Sequence, residues 1–277
     1  CGMNIFKERF AGKTILITGA TSGIGEATAL RAAAEGANVV VAGRDEQRGQ
    51  AVVEKIKLDG GDAIFVKGDL TNENDVVRLI KTAEGKFGDI QFFVNNAGVA
   101  SDPDRVDEYS TEQWLRIMDI NVNAVFYCCR EELKHLLKHD KGGAIVNLSS
   151  VAGVRAFPSA CGYVTSKHAI VGLTKAIAME YAHKNIRCNS TGPCSSSTPL
   201  NINSSLAYGR KLRQLIDAGI DTEEYIDEWM CCGKMQAPMG RDCVADEQAA
   251  VILFLLSDDA SYITGDQIVV DGGWVVY

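Results

Sequence analysis

The sequence predicts an α/β fold in which helices cover both faces of a parallel sheet. Strand-like and helix-like segments alternate from end to end, which is typical of parallel strands joined by helical crossovers. The strand-like segments are apolar along nearly their whole length, as expected of strands buried on both faces. A glycine-rich turn between the first strand and the first helix is a third indication of this architecture.

Each element has a local cause in the sequence. The first strand is an apolar run at 13–18, an Ala-rich helix follows at 23–35, and Asp45 is a predicted N-cap of the second helix. The predicted strands are at 13–18, 38–42, 63–67, 90–95, 144–148, 186–190 and 267–270. The predicted helices are at 23–35, 45–58, 72–87, 111–139 with a break near Asn121, 161–183 and 244–256. Because no linker rich in Pro, Gly or Ser divides the chain, we expect a single domain over residues 1–277.

One long segment, 194–236, interrupts the alternation. It contains helix-compatible stretches at 209–218 and 222–230, and it follows a strand whose carboxyl end lies at the edge where ligands bind. Long excursions of this kind in compact domains are usually lids or binding loops. We therefore expect it to cover a substrate, with a merely decorative insertion as the alternative.

The composition excludes several classes of function. Twenty-eight basic against thirty-six acidic residues give a net charge of −8 with no basic run, which argues against nucleic acid or an anionic membrane as partner. The longest apolar runs are too short to span a bilayer, and the beginning of the chain lacks a signal-like apolar segment, so we expect a cytoplasmic protein with Met3 as its native start. The nine cysteines show no metal-ligand spacing and the four histidines are not clustered in sequence, so we expect reduced thiols and no metal site.

The glycine-rich turn has the composition of a phosphate-binding site. It runs from Thr18 to Gly25 with the spacing Gly-x-x-x-Gly-x-Gly, directly after a strand and at the start of a helix. Glycines there permit close backbone approach, and the amides at the helix N-terminus can bind a pyrophosphate. This placement is typical of a doubly wound Rossmann-type domain that binds a dinucleotide.

The end of the second strand indicates which dinucleotide is preferred. An NAD site needs a carboxylate there for the ribose hydroxyls, whereas the 2′-phosphate of NADP is repelled by an acid and attracted by arginine. This chain has Gly43 followed by Arg44, so NADP(H) is favoured over NAD(H), with Thr21 and Ser22 as further hydroxyl partners. The alternative is that Arg44 is only a solvated residue ahead of Asp45.

An acid/base site is indicated by Tyr163 and Lys167, which are four residues apart on one helix face, and by Ser150 at a preceding strand end. A phenol alone titrates near pH ~10, and a fixed positive neighbour is expected to lower that pKa toward the useful range. Taken alone, the pair also suits an ordinary solvated helix face. Ser149 is the alternative to Ser150 as the serine of this acid/base site.

Taken together, these motifs resemble the short-chain dehydrogenase/reductase family over residues 10–273. The turn motif, the Asn-Asn-Ala-Gly motif after the fourth strand, the Tyr-x-x-x-Lys pair and a C-terminal Asp-Gly-Gly all match. One departure is Cys194, which stands where the family usually has glycine after proline. The matching positions are Thr18 to Gly25, Asp69, Asn95 to Gly98, Asn121, Ser150, Tyr163, Lys167, Pro193, Thr198, 261–265 and 270–273.

The resemblance implies roles for these residues. Tyr163 is the implied general acid/base, Lys167 lowers its pKa and holds the nicotinamide ribose, Ser150 stabilises the carbonyl oxygen, and Asn121 links Lys167 to solvent through a water. The implied catalytic residues are Asn121, Ser150, Tyr163 and Lys167. The residues expected to bind the cofactor are Gly19, Thr21, Ser22, Gly23, Ile24, Gly25, Arg44, Asp69, Leu70, Asn96, Ala97, Gly98, Tyr163, Lys167, Pro193 and Thr198.

The implied function is reversible hydride transfer between NADP(H) and a ketone or secondary alcohol of a small molecule. Reduction of a 3-oxoacyl thioester on an acyl carrier is the alternative within the same chemistry, and sugar, polyol or hydroxysteroid substrates are equally allowed. An idle NADP-binding sensor or scaffold is the alternative of another class. The resemblance also implies a homo-oligomer, commonly a tetramer, assembled through the helices at 122–137 and 170–181 and the last strand; burial of those residues within the monomer is the alternative.

Overall fold

The structure is a computed structural model that describes residues 5–194, 198–220, 222, 223, 226 and 237–276. Its centre is a seven-stranded, fully parallel sheet in the order β3-β2-β1-β4-β5-β6-β7. The strands are β1 (Thr14–Thr18), β2 (Asn38–Gly43), β3 (Asp62–Lys67), β4 (Phe92–Asn95), β5 (Gly143–Leu148), β6 (Ile186–Pro193) and β7 (Gln267–Val270). The predicted α/β architecture with seven parallel strands is confirmed, and each observed strand overlaps its predicted range.

Helices cover both faces of the sheet, as expected. They are α1 (Gly23–Ala34), α2 (Glu46–Leu58), α3 (Glu73–Phe87), α4 (Thr111–Met118), α5 (Ala124–His139), α6 (Cys161–Tyr181), α7 (Pro199–Asp217) and α8 (Ala245–Leu256). One apolar cluster joins the sheet to α1, α2 and α8, and a second joins it to α3, α5 and α6. Because both faces are buried, most strand positions are apolar, which is why the strands were recognisable in the sequence.

The predicted break near Asn121 is a π-helical turn. Residues Asp119–Asn123 form this turn between α4 and α5, so that one long helical stretch is divided into two. Wide turns of this kind often mark functional positions because they change the direction in which side chains point.

The order in which strands are added reverses at the centre of the sheet, and this reversal creates a place where a ligand can bind. From β1 the chain builds outward to β2 and β3, then returns to β4 on the other side of β1. The loops after β1 and β4 therefore diverge above the sheet's carboxyl edge and leave a crevice between them.

The excursion after β6 contains α7, which begins about ten residues before the helix-compatible stretch predicted at 209–218. Pro199 stands at the first position of α7, where the missing amide hydrogen costs nothing. Residues 195–197 and most of the second helix-compatible stretch, 222–230, lie outside the described residues.

Across the described parts of the chain, no helix is both long and apolar enough to cross a membrane.

Candidate active site

The turn after β1 is shaped by its glycines. Gly19 and Gly23 have φ of +62° and +59°, a region that favours glycine. A Cβ on Gly25 would lie 2.4 Å from the carbonyl oxygen of Gly19, so a side chain there would break the turn. Ser22, the N-cap residue of α1, makes no side-chain hydrogen bond to the helix. The first amides of α1 therefore have no side-chain cap and face the cleft, which fits a phosphate-bearing cofactor.

Asn96 locks this turn to the loop after β4. Its Nδ2 donates to the carbonyl oxygens of Thr18 and Gly19, both at 3.0 Å. The Thr18 hydroxyl accepts from the backbone amides of Asn96 (3.0 Å) and Ala97 (3.2 Å). The two sides of the crevice are thus fixed to each other, and the Asn96 side chain is engaged with the turn.

At the other end of the crevice Arg44 is exposed beside a close contact between Gly43 and Thr21. A Cβ on Gly43 would lie 2.7 Å from Cγ2 of Thr21, so the two positions are packed together. Asp45 caps α2 through the Arg48 amide (3.0 Å) and also pairs with the Arg48 guanidinium (2.7 Å). Among the described residues, no carboxylate lies within ion-pair distance of Arg44, and Arg44 lines the cleft.

Asp69 lies in the loop after β3 and forms hydrogen bonds with nearby residues, Thr71 and Asp75. Its Oδ1 accepts from the amide (3.1 Å) and the hydroxyl (2.9 Å) of Thr71. Its own amide donates to Asp75 Oδ2 at 2.8 Å. Both Asp69 and Leu70 line the cleft, as do Gly98, Pro193 and Thr198 from the predicted set.

Ser150, Tyr163 and Lys167 converge at one point of the cleft. Ser150 is the second residue after the end of β5. Its Oγ accepts from the Ala152 amide (3.1 Å) and donates to the Pro193 carbonyl oxygen (3.3 Å). A hydrogen bond joins the side chains of Ser150 and Tyr163. The Lys167 ammonium lies 5.5 Å from the centre of the Tyr163 ring, which is near without direct contact. The hydroxyl of Ser149 is used elsewhere, because it donates to the backbone oxygen of Lys167 (2.9 Å).

Asn121 completes this group from the π-helical turn. Its Oδ1 accepts from the Val99 amide (2.9 Å), and its Nδ2 donates to the Val99 oxygen (2.9 Å) and to Ser166 Oγ (3.1 Å). A Cβ on Gly98 would lie 3.3 Å from Asn121 Oδ1 and 3.6 Å from Lys167 Nζ. Asn121 and Lys167 therefore meet on either side of a backbone position that has no side chain.

The electrostatics differ from the expectation based on Lys167 alone. Burial raises the pKa of Tyr163, and the hydrogen bond to Ser150 only partly opposes it. Burial also lowers the pKa of Lys167 to about 8. The Lys167 ammonium donates to the carbonyl oxygen of Leu148 (2.9 Å), and burial determines the direction of the Tyr163 pKa shift.

The cleft extends beyond Tyr163 between apolar and polar residues of several loops. Its total volume is about 1410 Å³, and the three predicted pocket segments 100–107, 151–162 and 194–236 all contribute described residues. Two further segments were missed, 237–243 and 270–274, of which Trp274 is the largest residue. The only sequence signal for Trp274 was its place directly after the C-terminal Asp-Gly-Gly, which indicates a turn.

His135 and His139 lie together with Glu84 outside the cleft, whereas the sequence predicted that the four histidines do not form a cluster. Ligand atoms of Glu84, His135 and His139 lie within 4.8 Å of one another. His135 Nε2 accepts the Ile90 amide (3.0 Å), and Glu84 is already paired with Lys138 (2.5 Å). These contacts account for the cluster as a hydrogen-bond and ion-pair network between α3, α5 and the segment just before β4.

An uncapped helix N-terminus and a Tyr-Lys-Ser group in one cleft define a nicotinamide-dependent oxidoreductase of the Rossmann type. Residues 19–275 match the family model described as enoyl-(acyl carrier protein) reductase. The chain is 45% identical to a 3beta-hydroxysteroid dehydrogenase of Mediterraneibacter gnavus, over 97% of each protein. It is 39% identical to a cyclohexanol dehydrogenase of an Acinetobacter species, over 98% of each.

A solved structure supports the same assignment. The 3-ketoacyl-(acyl-carrier-protein) reductase of Brucella melitensis, crystallised with NADH, superposes with a TM-score of 0.81 at 32% identity, covering 96% of this chain and 99% of that one. The chain belongs to the short-chain dehydrogenase/reductase family, and it is an oxidoreductase that acts on alcohols and ketones.

Proposed function

We propose that this protein transfers hydride reversibly between NADP(H) and a ketone or secondary alcohol carried on a small alicyclic molecule. The observation that carries the proposal is the meeting of Ser150, Tyr163 and Lys167 in the cleft that also contains the uncapped N-terminus of α1. The names of the two relatives, which specify a hydroxysteroid and cyclohexanol, support the alicyclic substrate.

In this proposal, the bound nicotinamide supplies the hydride donor or acceptor. Tyr163 gives a proton to the carbonyl oxygen during reduction, and as phenolate it removes the proton from the alcohol during oxidation. Ser150 donates a hydrogen bond to the same oxygen and stabilises the negative charge that develops there. Lys167 holds the ribose, and its charge together with that of the oxidised nicotinamide opposes the rise in the Tyr163 pKa that burial causes. Asn121 connects Lys167 to solvent through a water.

The preference for NADP(H) rests on charge at the end of β2. Arg44 is exposed, lines the cleft and has no carboxylate partner among the described residues, so its guanidinium is available to a 2′-phosphate. Gly43 removes the carboxylate that an NAD site would need at that position.

The excursion after β6 is proposed to cover the substrate. Leu200, Ser204 and Tyr208 of α7 line the cleft. Lys211, further along α7, pairs with Asp104 (2.7 Å) and Glu108 (3.0 Å) on the loop opposite. These contacts hold α7 across the substrate end of the cleft.

A homo-oligomer, with a tetramer as the first choice, and a cytoplasmic location also belong to the proposal. Most apolar residues of α5 and α6 are buried within the monomer, but Phe126, Leu137 and Met179 remain exposed on them. Light scattering coupled to size exclusion tests the assembly, and a monomeric mass at micromolar concentration would contradict it.

The deciding experiment is a carbonyl panel assayed with NADPH and NADH by loss of cofactor absorbance. Cyclohexanone, a saturated 3-ketosteroid and a 3-oxoacyl thioester represent the competing substrate classes. Turnover of the alicyclic ketones with NADPH is the expected result. Preference for the thioester would support the acyl-carrier alternative, and cofactor binding without turnover of any ketone would support the sensor.

A further inference from the structure

The substrate end of the cleft contains a stacked aromatic pair, Phe157 and Trp274. The two ring centres are 5.2 Å apart and the ring planes are 24° from parallel. The Arg155 guanidinium lies 5.3 Å from the centre of the Trp274 ring, which adds a cation–π contact. Both aromatic residues line the cleft.

Trp274 is held by a rigid C-terminal turn. The Asp271 carboxylate accepts from the amides of Gly273 (2.9 Å) and Val275 (2.7 Å). Gly273 has φ of +91°, and a Cβ on it would lie 3.3 Å from Cγ of Pro238. The Trp274 side chain is only 6% exposed, so this large ring is fixed in place at the cleft wall.

The aromatic pair is also tied to the backbone that presents Ser150. Phe157 follows the short helical turn Val151–Gly153, for which Ser150 is the N-cap. Trp274 follows β7, and Gln267 of β7 donates its Nε2 to the Ser150 carbonyl oxygen (2.8 Å). Both rings are therefore connected through short stretches of backbone to the residue that presents the Ser150 hydroxyl.

We propose that Phe157 and Trp274 form a platform that receives the part of the substrate remote from the reacting carbon. This inference rests on the proposed function and narrows its substrate class. A flat, neutral, fused-ring alicyclic ketone reaches the platform and gains contact with it, whereas a single six-membered ring held at Tyr163 gains little. Trp274 is only 6% exposed, so it acts as a positioning residue that holds Phe157 in the platform and through it sets specificity for ring-system size.

The test compares a saturated 3-ketosteroid with cyclohexanone in wild type, Trp274→Ala and Trp274→Phe. Trp274→Ala should lower kcat/KM for the steroid about tenfold or more, mainly through KM, and change that for cyclohexanone less than about threefold. Trp274→Phe keeps an aromatic ring and should recover most of the steroid activity. Trp114→Leu, at a partly exposed tryptophan of α4 outside the cleft, is the matched control and should leave both ketones unaffected.

Equal losses for the two ketones in Trp274→Ala, or no loss for either, would overturn the platform. Absence of turnover in wild type would overturn the proposed function instead. In that case, calorimetry of steroid binding to the NADPH-loaded enzyme still tests the platform. If wild type, Trp274→Phe and Trp274→Ala all bind the steroid with equal affinity, the platform is refuted. Unfolding temperatures identify a variant that has simply lost its fold.

Discussion

The ammonium of Lys167 donates to the carbonyl oxygen of Leu148, 2.9 Å away, at the last residue of β5. Lys167 is 6% exposed, and burial lowers its pKa to about 8. A buried ammonium whose pKa falls below the usual 10.5 is destabilising at neutral pH, because the unfolded chain binds that proton more tightly. This loss of folding stability is fully present below pH 8, and it disappears as the pH rises toward 10.5, the pKa of lysine in the unfolded chain.

We therefore expect Lys167→Met to be more stable than wild type at pH 7, by on the order of 2 kcal/mol, while losing activity. Chemical denaturation at pH 7 and at pH 9.5 measures this, and the advantage of the variant should shrink at the higher pH. A variant that is less stable at pH 7 would show that the bond to Leu148 outweighs the desolvation of the ammonium.

Tyr163→Phe removes the proposed proton donor and leaves the ring. Turnover should fall by about 10²- to 10⁴-fold, because general acid/base catalysis contributes that much. NADPH affinity, measured by fluorescence titration, should stay within about twofold of wild type. Ser149→Ala is the control, because the Ser149 hydroxyl donates to the α6 backbone. Near wild-type activity of Tyr163→Phe would exclude Tyr163 as the acid.

Arg44→Asp tests the choice of dinucleotide. The substitution replaces an exposed cation with an anion where the 2′-phosphate is expected, so KM for NADPH should rise by an order of magnitude or more, about 1.4 kcal/mol per tenfold. KM for NADH should change much less. Arg48→Asp is a useful comparison, because Arg48 is already paired with Asp45. An unchanged KM for NADPH in Arg44→Asp would mean that Arg44 is only a solvated residue.

Glu132 is a buried carboxyl of α5 that the proposed reaction does not use. It is 1% exposed, accepts from Asn95 Nδ2 (3.0 Å), and burial raises its pKa to about 8. Because the folded protein binds this proton more tightly than the unfolded chain, stability falls as the pH rises from about 4.5 to 8.

Glu132→Gln should remove that fall and raise the free energy of unfolding at pH 8 by on the order of 2 kcal/mol. The neighbouring Glu131 provides the control, since its hydrogen bonds to Lys134 and Arg130 outweigh burial and lower its pKa. Glu131→Gln should lose stability at pH 8. Urea unfolding at pH 5.5 and pH 8 distinguishes the two, and parallel pH profiles of wild type and Glu132→Gln would contradict the argument.

Lys211→Met breaks the ion pairs that hold α7 against the opposite loop. Lys211 and Asp104 are 20% and 15% exposed, so this contact is less screened than a surface pair. We expect KM for the ketone to rise roughly 3- to 10-fold. Arg213→Met, at an exposed ion pair with Asp217 on the same helix, should change KM little. Identical kinetics of Lys211→Met and wild type would show that the pairs do not hold the cover closed.

The strands and most helices could be predicted because their causes are local. Apolar runs, the Asp45 cap and glycine positions lie within a few residues of what they determine, and the structure confirms the strands in order. The meeting of Ser150 with Tyr163 was also accessible, because a strand end and a helix start are joined by a short connection.

What could not be predicted depends on contacts between distant parts of the chain. Phe157 and Trp274 are far apart in sequence, and nothing in either neighbourhood indicates that their rings stack. The pKa direction of Tyr163 was missed for a related reason: spacing shows that Lys167 is near, but not that its ammonium turns to Leu148 and that burial dominates.

The contact between Gly43 and Thr21 has a consequence for how cofactor preference can evolve. An acidic side chain at position 43 requires a Cβ 2.7 Å from the Thr21 methyl group, so the acid cannot enter until position 21 becomes smaller or turns away. The effects of substitutions at positions 21 and 43 on cofactor binding should therefore be non-additive. A lineage moving from one dinucleotide to the other would therefore need the Thr21 side chain to rotate, or to be replaced by a smaller one, together with the new acid at position 43.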